Sequence, residues 1–337
     1  MKRRFHKVML GFLCLVSVTA AAQTDPHFTQ NYTYPMYLNP ALAGSSDGEY
    51  RVSAVYRSQW GSISNPYRTM GVSFDTRTNK NIALGGNLLN QKAGDGGFSY
   101  LNANASIAYT GVKLGADNNH RVVLAMQLGL INRRVDASKF KWGEQWNPIT
   151  GYNASNPTTE SFATTSSTTF DAGAGALYYD ATPGKKWNGF GGLAFYHINK
   201  PKDPIVSSQS SERNIIPMRM TLHGGISFNL SERTSIVPHA LFMKQGSATE
   251  TMLGIYAQVN VNAETDVMIG GYYRYKDAIA PFVGVDYKNF LIGLSYDANT
   301  SKLGAMARNV NSFELSLSYI KRTASRSIVD FIRCARL

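Results

Sequence analysis

Apolar and polar residues alternate with a period of two along most of the chain, the pattern of strands whose two faces meet different surroundings. Leu101, Ala103, Ala105, Ile107 and Tyr109 alternate with Asn102, Asn104, Ser106, Ala108 and Thr110. Met218, Met220, Leu222, Gly224, Ile226 and Phe228 alternate with Arg219, Thr221, His223, Gly225, Ser227 and Asn229. A guanidinium and an imidazole thus share one face of that run, while the other is apolar or small. Such runs predict strands near residues 50–58, 68–76, 80–90, 98–111, 120–132, 168–180, 188–198, 217–229, 233–244, 249–260, 265–275, 279–287, 289–297 and 311–320, which makes 14. Several match the ~9–11 residues that a tilted strand needs to cross a bilayer.

An even number brings the first and last strands back to one rim. Of the connections at that rim, Thr76–Lys80, Asp180–Asn188, Leu230–Arg233, Asn260–Thr265 and Tyr287–Asn289 are brief. At the other rim lie Gln91–Gly97, Arg133–Ser167, Asn199–Pro217 and Ala298–Val310, with the short Lys244–Thr249 link as an exception. Bacterial outer-membrane barrels have short periplasmic turns and longer external loops; a soluble sandwich has no reason to sort its loops. The expected fold is all-β, a transmembrane antiparallel β-barrel of about 14 strands over residues 50–320, in the outer membrane with both termini periplasmic.

The two ends of the chain add three further regions. Residues 1–22 read as a secretory signal peptide, with Lys2, Arg3, Arg4 and Lys7 before an apolar run from Val8 to Val18 and small residues Ala20, Ala21 and Ala22. An apolar run of about 12 residues is too short for a helix across a ~30 Å hydrocarbon core. Cleavage there removes four cations and lowers the formal charge from +12 to +8. It also leaves Cys334 alone, so no intramolecular disulfide is expected. Residues 23–49, with Pro26, Pro35, Pro40 and Gly44 and little alternation, form an N-terminal plug-like segment. Residues 321–337 form a basic, periplasmic C-terminal tail that carries Lys321, Arg322, Arg326, Arg333 and Arg336 against Asp330.

Only 17% of residues are charged, while 12% are aromatic. Beyond the leader no apolar stretch approaches the ~18 residues of a membrane helix. Tyr50, Tyr67, Phe98, Tyr109, Tyr178, Tyr179, Phe242, Tyr256, Tyr272, Tyr273, Tyr275, Tyr287, Phe290, Tyr296 and Tyr319 cluster toward strand ends. They read as girdles at the headgroup level, where an amphipathic ring is at home.

No motif argues for an enzyme. The histidines at 6, 27, 120, 197, 223 and 239 lack metal-ligand spacing, and no phosphate loop or nucleophile elbow is present. Gly173-Ala-Gly175 reads as close packing within a strand. His223 beside Ser227 is the one hydrolase-like pair, and a lumenal histidine bonded to its neighbours accounts for it. Neither a metal nor a cofactor is expected. The basic residues are spread over turns and tail rather than interleaved with stacking rings, so lipid headgroups or an acidic protein explain them better than nucleic acid. Lys139, Lys141, Trp142, Trp146 and Tyr152 combine large rings with positive charge in the longest loop. That composition marks a partner-binding loop, or else a loop that folds inward and narrows the pore.

Several segments resemble the PorP/SprF proteins of the type IX secretion and gliding machinery. Asp25-Pro26-His27-Phe28-Thr29-Gln30 and Asn39-Pro40-Ala41-Leu42-Ala43-Gly44 resemble the opening of that family. Tyr56-Arg57-Ser58-Gln59-Trp60 and His197-Ile198-Asn199-Lys200-Pro201 are similar to two of its internal elements. Gly271-Tyr272-Tyr273-Arg274 with Asp277-Ala278, Gly293-Leu294-Ser295-Tyr296-Asp297 and Phe313-Glu314-Leu315-Ser316-Leu317 resemble its last strands. The ending Cys334-Ala335-Arg336-Leu337 departs from the family's Cys-Pro-Arg-aromatic.

The resemblance implies an outer-membrane component of type IX secretion that docks the C-terminal signal domain of an exported cargo or adhesin. It also implies anchoring of periplasmic ring components or peptidoglycan-linked lipoproteins. Among the motif residues, Asn39, Pro40 and Gly44 are expected to fix a turn in the plug. Arg57 and Arg274 are expected as lumenal cations paired with carboxylates such as Asp277 or Asp297. Gln59, Trp60, His197, Pro201 and Tyr296 complete the set in structural roles. A reading from another class is a transporter of small apolar molecules, a 14-stranded barrel with an N-terminal hatch of the fatty-acid channel type.

Overall fold

A computed structural model describes residues 25–61, 65–78, 80–159, 164–202, 205, 215–301 and 311–322. The expected signal peptide, Cys334 and all of the basic tail beyond Arg322 lie outside these residues.

The strands are β1 (Tyr50–Gln59), β2 (Tyr67–Arg77), β3 (Ile82–Ala93), β4 (Phe98–Leu114), β5 (His120–Arg134), β6 (Trp146–Asn147), β7 (Gly151–Tyr152), β8 (Ser166–Asp180), β9 (Trp187–Tyr196), β10 (Arg219–Asn229), β11 (Thr234–Gln245), β12 (Ala248–Asn262), β13 (Thr265–Arg274), β14 (Ala278–Tyr287), β15 (Phe290–Asn299) and β16 (Ser312–Ile320). All but β6 and β7, a two-residue hairpin inside a loop, join in one closed antiparallel barrel of 14 strands. Each strand pairs with its neighbours in sequence. The seam is β1 against β16, in register from Arg51 opposite Ile320 to Gln59 opposite Ser312.

The alternation is inverted relative to a soluble protein. On β14, Ile279, Val283, Val285 and Tyr287 point outward and are exposed, while Ala278, Ala280, Phe282 and Asp286 are buried inside. On β5, Leu124, Met126, Leu128 and Leu130 are each more than half exposed, and Gln127 between them is buried. An apolar band outside and a polar interior suit a barrel solvated by lipid, and closure leaves no unpaired sheet edge around it.

The rim where β1 begins and β16 ends is called here the near rim. Its six connections run from two to six residues, from 263–264 to 181–186. The far rim carries 135–165, 197–218, 300–311 and 60–66, together with the short turns 94–97, 246–247 and 275–277. Outward rings mark both boundaries: Phe74, Tyr109, Tyr178, Trp187, Tyr287 and Phe290 toward the near rim, and Phe170, Tyr273, Tyr296 and Phe313 toward the far one. Tyr179, Tyr256 and Tyr272, expected in the girdles, are buried in the lumen instead. Strand parity is the reason. Tyr178 and Tyr179 are consecutive, as are Tyr272 and Tyr273, and consecutive strand residues face opposite sides.

The lumen is filled by residues 25–49, nearly all of them buried. Three single turns, Asn31–Thr33, Pro35–Leu38 and Pro40–Leu42, fold this stretch compactly. Tyr32, Met36, Leu38, Leu42 and Ala43 pack on wall residues such as Leu177, Phe190, Tyr256 and Phe282, and Phe28, Tyr34 and Tyr37 on Leu89, Tyr100 and Ile131.

At one end of the segment the Glu49 N–H donates to the Lys321 carbonyl (2.8 Å) at the near rim. At its other end Asp25 contacts His197, Arg219 and Gln245, which follow β9, open β10 and close β11 at the far rim. The segment therefore crosses the lumen. Strand parity returns β1 and β16 to one rim, and residues 25–49 span the barrel from the far rim at Asp25 to the near rim at Glu49 before β1 begins.

Candidate functional site

Four inward residues from four strands converge on Thr29 and Gln30 of the lumenal segment. They are Arg57 on β1, Arg274 on β13, Asp297 on β15 and Glu314 on β16, all buried. Glu314 accepts the backbone N–H of Thr29 (2.9 Å) and of Gln30 (2.7 Å), one on each carboxylate oxygen. Arg57 donates to Glu314 Oε2 (2.9 Å), to Asp297 Oδ2 (2.7 Å) and to Thr29 Oγ1 (2.8 Å). Arg274 donates to Asp297 Oδ2 (2.6 Å), to Thr29 Oγ1 (3.1 Å) and to Asp277. The Thr29 hydroxyl gives its single hydrogen to Asp297 (2.9 Å), so its one donor and two acceptor sites are all used. Gln30 completes the cluster through Ser295, Ser316 and the Glu314 carbonyl.

A second cluster holds the far end. His197 meets Asp25 on Nε2 and Asp171 of β8 on Nδ1, both at 2.8 Å. Burial alone would depress the His197 imidazole, but the two carboxylates overcome it and lift the ring to about 9. Burial likewise works against an ionised Asp25, yet the charges of His197 and Arg219 hold it below the usual carboxylate range. Arg219 lies between the rings of Tyr37 (4.3 Å) and Tyr196 (4.2 Å). Its Nη1 stands 3.0 Å from Asp25 Oδ2, at an angle too oblique for a hydrogen bond.

Between the clusters, Asn39 donates through Nδ2 to the Ala176 carbonyl and meets His223 Nε2, each at 3.0 Å, while its Oδ1 caps the turn at Ala41 (2.9 Å). Since Asn39 supplies the hydrogen, His223 Nε2 accepts, and Nδ1 is left to donate to the Tyr32 hydroxyl at 3.2 Å. With both ring nitrogens engaged by the lumenal segment, His223 is not positioned to activate Ser227. Gly175, read from sequence as close packing, leaves the room that Asn39 and Pro40 occupy.

Near the opposite rim, Gly44 has φ +67° and donates its N–H to Asp75 (2.8 Å), which also takes Arg51 (2.9 Å). Arg322, just past β16, bridges Asp47 (2.9 Å) and Asp286 (2.8 Å).

The remaining motif residues are placed around these contacts. His197 begins a turn with φ +57°, closed by the Lys200 N–H on the His197 carbonyl, and Pro201 accepts the Ile216 N–H (2.8 Å). Trp60 sets its ring edge-on to Tyr67 at 5.3 Å, and the Tyr296 hydroxyl accepts from Asn311 (2.7 Å). Gln59, Trp60, His27, Glu250 and Arg274 line a polar cavity of about 400 Å³ at the far mouth. A second, of about 580 Å³, opens at the near rim among Asp180, Asn188, Ser227, Arg233, Tyr256 and Asp266.

In the long loop the rings pack on one another and on a cation. Lys141 lies over Tyr152 (5.0 Å), Trp146 packs on Tyr152 (5.8 Å) and is 56% exposed, and Trp142 stacks on Phe140. Lys139 faces Asp136 at 3.8 Å. Sequence reasoning assigned no role to Asp25, Thr29, Gln30, Asp171, Arg219 or Glu314. The signal for Glu314 was a lone acid at an inward position of a strictly alternating strand.

A family model described as "Type IX secretion system membrane protein PorP/SprF" matches residues 20–319. No curated protein matches the sequence. Among solved structures, the chain is similar to the toluene transporter TbuX of Ralstonia pickettii, at 14% identity and a TM-score of 0.52, over 85% of this chain and 92% of that one. The toluene transporter TodX of Pseudomonas putida is similar over 85% and 92%, at 11% identity and a TM-score of 0.47. The likeness to TbuX is one of fold, that of an outer-membrane barrel.

Proposed function

The chain belongs to the PorP/SprF family of type IX secretion system membrane proteins, and on that premise we propose that it serves protein export as a closed outer-membrane barrel that works at its two rims. The packed lumen carries this reading. Its own residues 25–49 act as a plug, held by the ion pairs of Asp25 at one end and by the Gly44 N–H on Asp75 at the other, and among the described residues they leave no room for a folded cargo.

The far rim is the external one in this reading. Its long loop, with Lys139, Lys141, Trp142, Trp146 and Tyr152, and its open cavity form the surface that docks the C-terminal signal domain of an exported cargo or adhesin. Large rings beside a cation are the usual anchors of such contacts. The near rim faces the periplasm, where ring components or peptidoglycan-linked lipoproteins meet the short turns and the tail 323–337. Residues 1–22 direct export, the outward apolar face meets membrane lipid, and the protein catalyses no reaction.

Deleting the protein is the direct test. Exported cargo should accumulate in the periplasm while uptake of small apolar molecules stays normal, and the barrel extracted in detergent should bring down ring lipoproteins or a cargo. Lost uptake with normal export, or recovery of none of these partners, would reject the reading.

A further inference from the structure

The lumenal segment and the seam are held by the same carboxylate. Pairing of β1 with β16 closes the barrel, and Arg57 and Glu314 are partners in that register. Both oxygens of Glu314 are taken by the backbone of Thr29 and Gln30. Gln30 also reaches Ser295 on β15 (3.2 Å) and Ser316 on β16 (2.7 Å). The segment that binds the last two strands runs directly into the first, since Glu49 precedes Tyr50 and is itself bonded to Lys321.

Without Thr29 and Gln30, the inner face of β15 and β16 presents a buried carboxylate and two serine hydroxyls to an empty lumen. Arg57 would still serve Glu314 Oε2, but Oε1 and the two hydroxyls would lose partners from the segment, and removing partners from buried polar groups is costly. The seam also joins residues some 260 positions apart, and the entropy of closing so long a loop must be offset by contacts formed at the same moment. A segment tethered to β1 and complementary to β16 supplies them.

We propose that residues 25–49 are the clasp that closes this barrel: β16 zips to β1 on a lumen already occupied, and the seam is secure only while the side chains of Thr29 and Gln30 hold β15 and β16. The lumen therefore cannot be vacated without loosening the wall, and the barrel forms around the segment rather than admitting it afterwards.

The full chain refolded into lipid vesicles tests this, whatever the export role, because the readout is closure alone. Folded barrels migrate differently from heated ones in detergent gels, and the temperature of that change is the measurement. Thr29→Val with Gln30→Leu removes the segment's side-chain bonds to the seam while leaving every strand residue in place. Its transition should fall by several degrees. Ser53 and Ser318 are partners across the seam with hydroxyls 2.8 Å apart. Ser53→Cys with Ser318→Cys, in a background with Cys14→Ser and Cys334→Ser, staples that seam when oxidised. The oxidised staple should restore the transition of the Thr29/Gln30 variant, and reduction should abolish the rescue. Should the double variant not fold, Thr29→Val alone gives the same two comparisons. An unshifted transition, or a fall that the oxidised staple leaves uncorrected, would overturn the clasp.

Discussion

Arg57 and Glu314 face each other across the closing seam, guanidinium Nη1 to carboxylate Oε2 at 2.9 Å, with neither side chain exposed to solvent. A pair so buried is held by being fully bonded, and removing one member leaves the other charged in a dry place.

Arg57→Met is therefore expected to cost about 3–5 kcal/mol, the usual penalty for breaking a buried pair. Arg57→Lys keeps the charge but loses the fork that serves Thr29, Asp297 and Glu314 together, and should cost less. Urea unfolding in lipid vesicles, followed by tryptophan fluorescence, ranks the two. Equal stability of Arg57→Met and the wild type would refute the buried-pair account.

The Asp25–His197–Asp171 group predicts a pH dependence. The imidazole rises from 6.5 unfolded to about 9 folded, so its contribution is complete below pH 6.5 and disappears as the pH climbs through 9. Asp25 is shifted down from 3.8, so its contribution is present above that value and is lost only in strong acid. The wild type should lose more stability between pH 6 and pH 10 than His197→Gln does. Parallel losses would show that the ring does not titrate in this way.

Met126 tests the outer face. It is 64% exposed at the middle of β5, and Met126→Arg should cost about 2–4 kcal/mol if that face lies in hydrocarbon. Met126→Leu should be neutral. A tolerated arginine in vesicle refolding would mean that water, not lipid, covers this face.

Gly44→Ala should destabilise the segment. A β-carbon there would lie 2.7 Å from the Ala83 β-carbon, at a left-handed φ of +67°. The backbone conformation alone costs roughly 1–2 kcal/mol for an L side chain. The gel-mobility transition should fall accordingly, and Gly184→Ala, left-handed but in open space, should show the conformational part without the clash.

Trp146→Ala and Tyr152→Ala address the hairpin that the proposed function assigns to the external rim. Both rings lie in a loop away from the wall, so the unfolding transition should not move. Recovery of exported cargo on the purified barrel should fall at least tenfold for the more buried contact. Unchanged recovery in both variants would relocate the docking surface.

The barrel was legible because each strand repeats one message, an apolar row outside and a polar row inside, as in Ile279, Val283 and Val285 against Asp286. The seam cluster was half legible. Two cations, Arg57 and Arg274, stood out in motifs, and burying them demanded carboxylates, of which Asp277 and Asp297 are indeed bonded to them. Glu314, present only as part of a last-strand motif, was given no role because one acid between Phe313 and Leu315 looks like any inward polar residue. Tyr256 and Tyr272 were misplaced because a phenol suits a headgroup layer and a polar lumen equally well. The course of residues 25–49 had no periodic signal at all. Single turns joined by prolines take their path from the cavity they fill, and that cavity is made by strands far away in sequence.

The two sides of the far mouth stand at unequal heights. β8 continues through Ser166–Ala172 past Tyr196, the last residue of β9 that pairs with it, and the longest connection of the barrel, 135–165, leads into it from β5. Across the opening, β11 and β12 turn in two residues and β13 and β14 in three. A protein settling there would find a backstop on one flank and a low threshold on the other. Its angle of arrival would be fixed by the architecture before any side chain took part in recognition, and a bulky domain could remain tethered while leaning outward over the lower edge.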